Sequence, residues 1–178
     1  MAWHLSGGTT ELLLVRPDGV NVHAERIGGT SDISAGQLID RTGQLLEVAF
    51  PAGKMLDQLS ERADKDHFFA VKLKELTFSL SGMENKVKQL VQGGETPENI
   101  AAFTLRCISS AVVRTTEQAR KQYPGLPVLC SGGVAANRML RQAMQDSCGA
   151  VFAEPRYSTD NALGVAILAW RQWKEKER

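Results

Sequence analysis

Apolar and polar residues alternate at the start of the chain, and the pattern then changes to a helical period. Residues 3–5, 11–15 and 20–27 read as three strands of an antiparallel meander, joined by turns at residues 6–10 and 17–19. Ile33, Leu38, Ile39, Leu45 and Leu46 then mark one face of a helix, capped by Ser31 or Asp32, that runs to about residue 48. Residues 50–53 break the chain before a second amphipathic helix, 54 to about 63. Residues 68–74 and 76–80 alternate well enough for two strands of an antiparallel insertion, which Ser81-Gly82 ends; a short helix over 83–91 stops at Gly93-Gly94.

The longest periodic stretch follows. Ile100, Phe103, Thr104, Cys107, Ile108, Ala111, Val112 and Thr115 keep the 3.6 spacing, with Thr96 as N-cap, Pro97 at the first helical position and Pro124-Gly125 beyond the end near 122. Residues 126–130 suit a buried strand, Ser131-Gly132-Gly133 a turn, 135–145 a helix and 150–153 a last short strand. Ser158 or Thr159 caps a final helix with Asp160 in its first turn; the apolar run 162–170 predicts a buried face, and the charged residues to 178 predict fraying. A meander, then helices, then strand-helix-strand-helix predicts an α/β layered domain with a mixed sheet. At 178 residues, one domain with an insertion at about 54–95 is expected.

Composition narrows the field. With 21 Lys+Arg against 20 Asp+Glu the chain has no charge excess to hold a nucleic acid unaided, and 6% aromatics argue against a base-stacking surface. Cys107, Cys130 and Cys148 are far apart with no CxxC spacing, so they read as reduced core thiols. The apolar run near the end is about half the length of a membrane span, and residues 1–4 lead straight into strand-like sequence without a signal-peptide pattern. The expectation is a cytoplasmic protein with no membrane partner.

The candidate chemistry lies in two glycine turns. A strand, Ser131-Gly132-Gly133 and a helix carrying Asn137 in its first turn make an anion site: glycines admit backbone close to a ligand, and unpaired amides at the helix start favour negative charge. Leu5-Ser6-Gly7-Gly8-Thr9-Thr10 echoes it, with amides and hydroxyls suited to phosphate oxygens. Gly36 and Gly43, two turns apart on one helix face, suggest close approach by backbone or ligand; between them, Asp40 is either a ribose-binding carboxylate or a solvated charge.

These residues resemble the C-terminal half of the TsaD family of the actin-like ATPase superfamily, formerly labelled O-sialoglycoprotein endopeptidase or glycoprotease. The family places a threonylcarbamoyl group on adenosine beside the tRNA anticodon. Five motifs appear in the family's order: residues 5–10, 32–40, 51–53, 78–82, and 131–138 followed by 158–161. The resemblance implies a ribonuclease-H-like, actin-like half domain. Leu5, Ser6, Gly7, Gly8 and Thr9 would lie on the phosphate side of an adenine nucleotide or threonylcarbamoyl-adenylate, with Asp40 at the ribose. Gly53, Gly132, Gly133 and Asn137 would line the pocket, and Asp160 would be this half's one ligand to a divalent metal, iron or zinc, that acts as a Lewis acid. TsaB-like and TsaE-like proteins are the implied partners, tRNA only in a complete complex.

The sequence departs from the family pattern at Thr9, usually His or Asn, and at Ile33, Gln37 and Ala52, usually Asp, Glu and Gly. His4, His23 and His67 form no i, i+4 pair, so the HxxxH metal helix of the family's other half is not among these residues. A chain of this kind is expected to turn over little alone and to self-associate as a twofold dimer. The alternative is a degenerate, non-catalytic paralogue that works as a binding or assembly subunit.

Overall fold

The computed structural model describes residues 1–158 and 162–177. Seven strands form one mixed sheet: β1 (Ala2–Leu5), β2 (Thr10–Asp18), β3 (Asn21–Thr30), β4 (Leu73–Lys74), β5 (Thr77–Phe78), β6 (Leu129–Ser131) and β7 (Val151–Phe152), in the order β4-β5-β3-β2-β1-β6-β7. The expected meander is β1–β2–β3, antiparallel throughout. β1 also pairs with β6 in parallel, Ala2 opposite Leu129, so the turns that follow these two strands leave the same edge of the sheet. The carboxyl edge of parallel strands is where α/β folds place ligands.

The longest helix, α4 (Pro97–Gln122), matches its sequence signals: the Thr96 side chain accepts the Asn99 N–H and Pro97 occupies the first turn. It is buried along most of its length. Its interior hydroxyls are satisfied one turn back, Thr104 to the Ile100 carbonyl at 2.9 Å and Thr115 to the Ala111 carbonyl at 2.7 Å. The fully buried Trp3 indole on β1 donates to Thr116 Oγ1 at 2.8 Å, joining sheet to helix without an unpaired polar atom.

Helix α1 (Ala35–Leu45) starts later than Ser31 or Asp32 would allow, because Ser34 and Gln37 form a capping box. Asp32 instead serves α3 (Ser81–Gln92), accepting the N–H groups of Leu80 at 2.8 Å and Ser81 at 3.3 Å. Ser81-Gly82 therefore opens a helix rather than ending the insertion. The insertion is also less strand-like than its alternation suggests, since the carbonyls of His67 and Val71 accept Arg106 and Arg114 from α4, and Asn99 Oδ1 takes the N–H groups of Asp64 and Lys65. Only two-residue strands remain there.

Helix α2 (Gly53–Ser60) begins one residue before expectation, and α5 (Arg138–Cys148) begins three after, behind a 3-10 turn at Gly133–Ala136. Beyond β7 come α6 (Pro155–Ser158) and α7 (Ala162–Lys176). The predicted buried face of the last helix is not buried: Leu163, Val165, Ile167, Trp170 and Trp173 are exposed, and the helix continues through the segment expected to fray. Gln172 Nε2 meets Asn21 Oδ1 on β3 at 2.9 Å. Thr159 and Asp160 lie outside the described residues. All three cysteines are buried, and burial pushes the Cys107 and Cys130 thiols up to about 11 and about 12, so they stay protonated.

Candidate functional site

The turn after β1 is held by its own side chains. Ser6 N–H donates to the Thr9 carbonyl at 2.9 Å, and the two hydroxyls lie 2.7 Å apart, so both are engaged with each other. Helix α1 then fixes the turn from outside: Ser34 Oγ donates to the Gly7 carbonyl at 2.6 Å, and Thr10 Oγ1 accepts the Ala35 N–H at 2.8 Å. Contact is this close because position 36 has no side chain. A Cβ there would stand 2.5 Å from Gly7 Cα and 2.6 Å from the Ser6 carbonyl oxygen. Gly43 plays the same part toward Ala52, whose side chain is buried between α1 and α2.

The turn after β6 lies against the end of β1. Gly132 has φ of +99°, and a Cβ on it would collide with the Leu5 carbonyl, so this position requires glycine on two grounds. Leu5 itself is fully buried.

Two carboxylates bring the helices into register with these turns. Asp40 of α1 accepts the Ala52 N–H on Oδ1 at 3.0 Å, fixing the entry of α2; its Oδ2 has no partner among the described residues. Asp57 of α2 accepts Asn137 Nδ2 at 2.6 Å and the Arg138 N–H at 3.2 Å on Oδ1, and Arg138 Nε at 2.9 Å on Oδ2. Asn137 is the N-cap of α5 rather than a first-turn residue, its Oδ1 accepting the Leu140 N–H at 2.9 Å. Arg138 also pairs with Glu61, the residue after α2, so an ionic cluster joins the second half and end of α2 to the start of α5.

Between them opens a cleft of about 470 Å³, lined by Gly7, Gly36, Ile39, Asp40, Pro51, Gly53, Lys54, Asp57, Gly133, Val134, Ala136 and Asn137. That volume is in the range of small-molecule sites, and the lining is mostly apolar with a few polar groups, as such sites are. Of the residues expected there, Gly7, Asp40, Gly53, Gly133 and Asn137 are brought together. Leu5, Ser6, Gly8, Thr9 and Gly132 are outside the lining: Gly132 packs on the Leu5 carbonyl and Ser6 bonds Thr9, whereas Gly8 is exposed. Gly7, Gly53 and Gly133 are informative because a Cβ on any of them would meet no atom within 4 Å. Neither packing nor positive φ calls for glycine there, and its effect is to keep the cleft wide.

Sequence reading did not single out Lys54 or Asp57. The signal available was position: Asp57 is four residues after Gly53, one helical turn along the same face. Among the described residues no group of three or more His, Cys, Asp or Glu side chains is gathered for a metal ion. His67 is engaged with Glu95 at 2.7 Å, while His4 and His23 sit on β1 and β3. The described residues thus do not fit a metal centre by themselves. No helix among them is long and apolar enough to cross a membrane.

Residues 1–167 match the model of the family described as TsaD, tRNA N6-adenosine threonylcarbamoyltransferase. Proteins of that name from Lacticaseibacillus casei and Chlorobium chlorochromatii are each 33% identical, over 192 and 189 residues, covering 99% and 93% of this chain but 55% and 53% of their own. The chain spans about half the length of the curated relatives it matches. Among solved structures, the activator of the 2-hydroxyisocaproyl-CoA dehydratase from Clostridium difficile, with bound ADPNP, superposes with a TM-score of 0.61 at 18% identity, over 99% of this chain and 62% of that one. At that identity the likeness is one of fold.

Proposed function

The chain belongs to the TsaD family of tRNA N6-adenosine threonylcarbamoyltransferases and has an actin-like ATPase fold, and from that premise we propose that its cleft binds an adenine nucleotide or threonylcarbamoyl-adenylate for tRNA threonylcarbamoyladenosine modification. The observation that carries this reading is the convergence of Gly7, Asp40, Gly53, Gly133 and Asn137, from four separate stretches of chain, on one cleft, with three of them glycines that nothing in the fold requires. Asp40 Oδ2 is an unengaged acceptor suited to ribose hydroxyls. The second N–H of the Asn137 amide is left for a base or sugar oxygen, its first being committed to Asp57. ADPNP in the similarly folded Clostridium difficile activator supports a nucleotide in this class of fold.

The departures from the family pattern leave the cleft itself untouched, since Thr9, Ile33, Gln37 and Ala52 are all outside its lining. Thr9 is bonded to Ser6, Gln37 completes the α1 capping box, and the Ala52 methyl fits against Gly43. These substitutions therefore act on the scaffold.

Within this reading tRNA and TsaB-like or TsaE-like proteins are the partners, met through a larger assembly, and a divalent metal would supply Lewis-acid chemistry there. The test is titration of the chain with ATP and with a non-hydrolysable threonylcarbamoyl-adenylate analogue. Saturable binding is expected; no binding at millimolar ligand overturns the proposal.

A further inference from the structure

Among the described residues Lys54 is the one cation in the lining of the cleft, and no carboxylate among them pairs with it. It stands three residues before Asp57 on α2, a spacing at which Lys and Asp ordinarily pair across a helix face. Here they do not pair. Both oxygens of Asp57 are taken from the other side, by Asn137 and Arg138. Asp40, the other carboxylate of the lining, is turned to the Ala52 N–H through Oδ1. Lys54 makes no hydrogen bond or ion pair among the described residues and is exposed, in a lining that also contains Gly7, Pro51, Gly53 and Gly133.

We propose that Lys54 is the specificity-determining group of the cleft, selecting a phosphorylated nucleoside over the neutral nucleoside by pairing with its phosphate. This rests on the nucleotide reading of the cleft and adds to it which chemical form of the ligand is held and by what. The residue types divide the work: glycines leave room, Asp40 Oδ2 accepts hydroxyl protons, and Lys54 supplies a full positive charge for a phosphate, which the turns do not carry, the Ser6 and Thr9 hydroxyls being bonded to each other and that of Ser131 donating to the Trp3 carbonyl. An ammonium on a flexible stem reaches a phosphate as a point charge and demands no fixed geometry.

The experiment is calorimetric titration of the full chain with adenosine and with AMP at low and at high salt, repeated on Lys54→Met, which keeps most of the stem and removes the charge. AMP is expected to bind about fivefold more tightly than adenosine at low salt, with the advantage shrinking as salt is raised. Lys54→Met should lower AMP affinity to near that of adenosine, and Lys54→Arg should retain most of the preference. Equal affinity for AMP and adenosine in the unmodified chain overturns the Lys54 assignment while leaving the nucleoside site standing. A Met variant that keeps the AMP preference does the same. Failure of both ligands to bind overturns the nucleotide reading, and the assignment with it. Unchanged thermal melting of Lys54→Met separates loss of charge from loss of fold.

Discussion

The Asp32 carboxylate accepts the Leu80 N–H at 2.8 Å across 48 positions of sequence, and it also receives Ser79 Oγ at 2.5 Å. One side chain thus caps a helix that begins 49 residues further along, inside the insertion. Asp32→Ala should lower stability by about 0.5–2 kcal/mol, the usual cost of losing a helix cap, with α3 opening first in hydrogen exchange. An unchanged urea midpoint would show that the cap carries no weight.

The same residue gives a pH dependence. Partial burial works against its ionisation but is outweighed by hydrogen bonds from Ser79, Ser81 and the Leu80 and Ser81 N–H groups, which bring its carboxyl from 3.8 down to about 2. A carboxyl depressed in the folded state stabilises the fold above its unfolded value, so this contribution is fully present above about pH 4 and is lost as pH falls toward 2. Asp32 is exposed, and solvent screening keeps the effect small. Urea midpoints of the unmodified chain and Asp32→Asn should differ at pH 7 and converge by pH 2.

Gly36→Ala should push the turn after β1 off helix α1, because a methyl there meets Gly7 Cα and the Ser6 carbonyl. Overpacking of this kind costs about 1–3 kcal/mol. Gly53→Ala, whose Cβ meets nothing within 4 Å, should leave melting unchanged while narrowing the cleft and weakening ligand binding. If Gly53→Ala melts early instead, that glycine is structural.

Asp40→Asn keeps a carbonyl oxygen for the Ala52 N–H and removes the charge. Adenosine affinity should fall about tenfold with little change in melting, and 2′-deoxyadenosine should be affected less. Equal losses for the two ligands would remove Asp40 from the ribose.

Helix α7 leaves Trp170 and Trp173 54% and 56% exposed, with Leu163 and Val165 also facing solvent. We expect the chain to form a twofold dimer through this surface, and Trp170→Glu with Trp173→Glu to release the monomer. Light scattering of the unmodified chain decides the matter: a clean monomer at high concentration refutes it.

What could be read from the sequence was what neighbouring residues determine. The Thr96-Pro97 start of α4, the β1–β3 meander and the two glycine turns follow from local chemistry, and the structure has them in place. What escaped depended on residues remote in sequence. Ser81-Gly82 looks like a stop because the carboxylate that caps α3 is Asp32; residues 68–74 look like a strand because nothing local reveals that Arg106 and Arg114 take the carbonyls. The apolar run of α7 announces a face that prefers cover, and periodicity says nothing of what covers it. Resemblance supplied the adenosine, the metal and the roles on them, and it carried over Asn137 without its duties as N-cap and as donor to Asp57.

The parallel pairing of β1 with β6 also has a consequence in time. Ala2 cannot meet Leu129 until the whole stretch between them has been made, and closing so long a loop is slow compared with forming the hairpin of β2 and β3. Until then the backbone of β1 has one ladder unfilled, an edge onto which a neighbouring nascent chain can add.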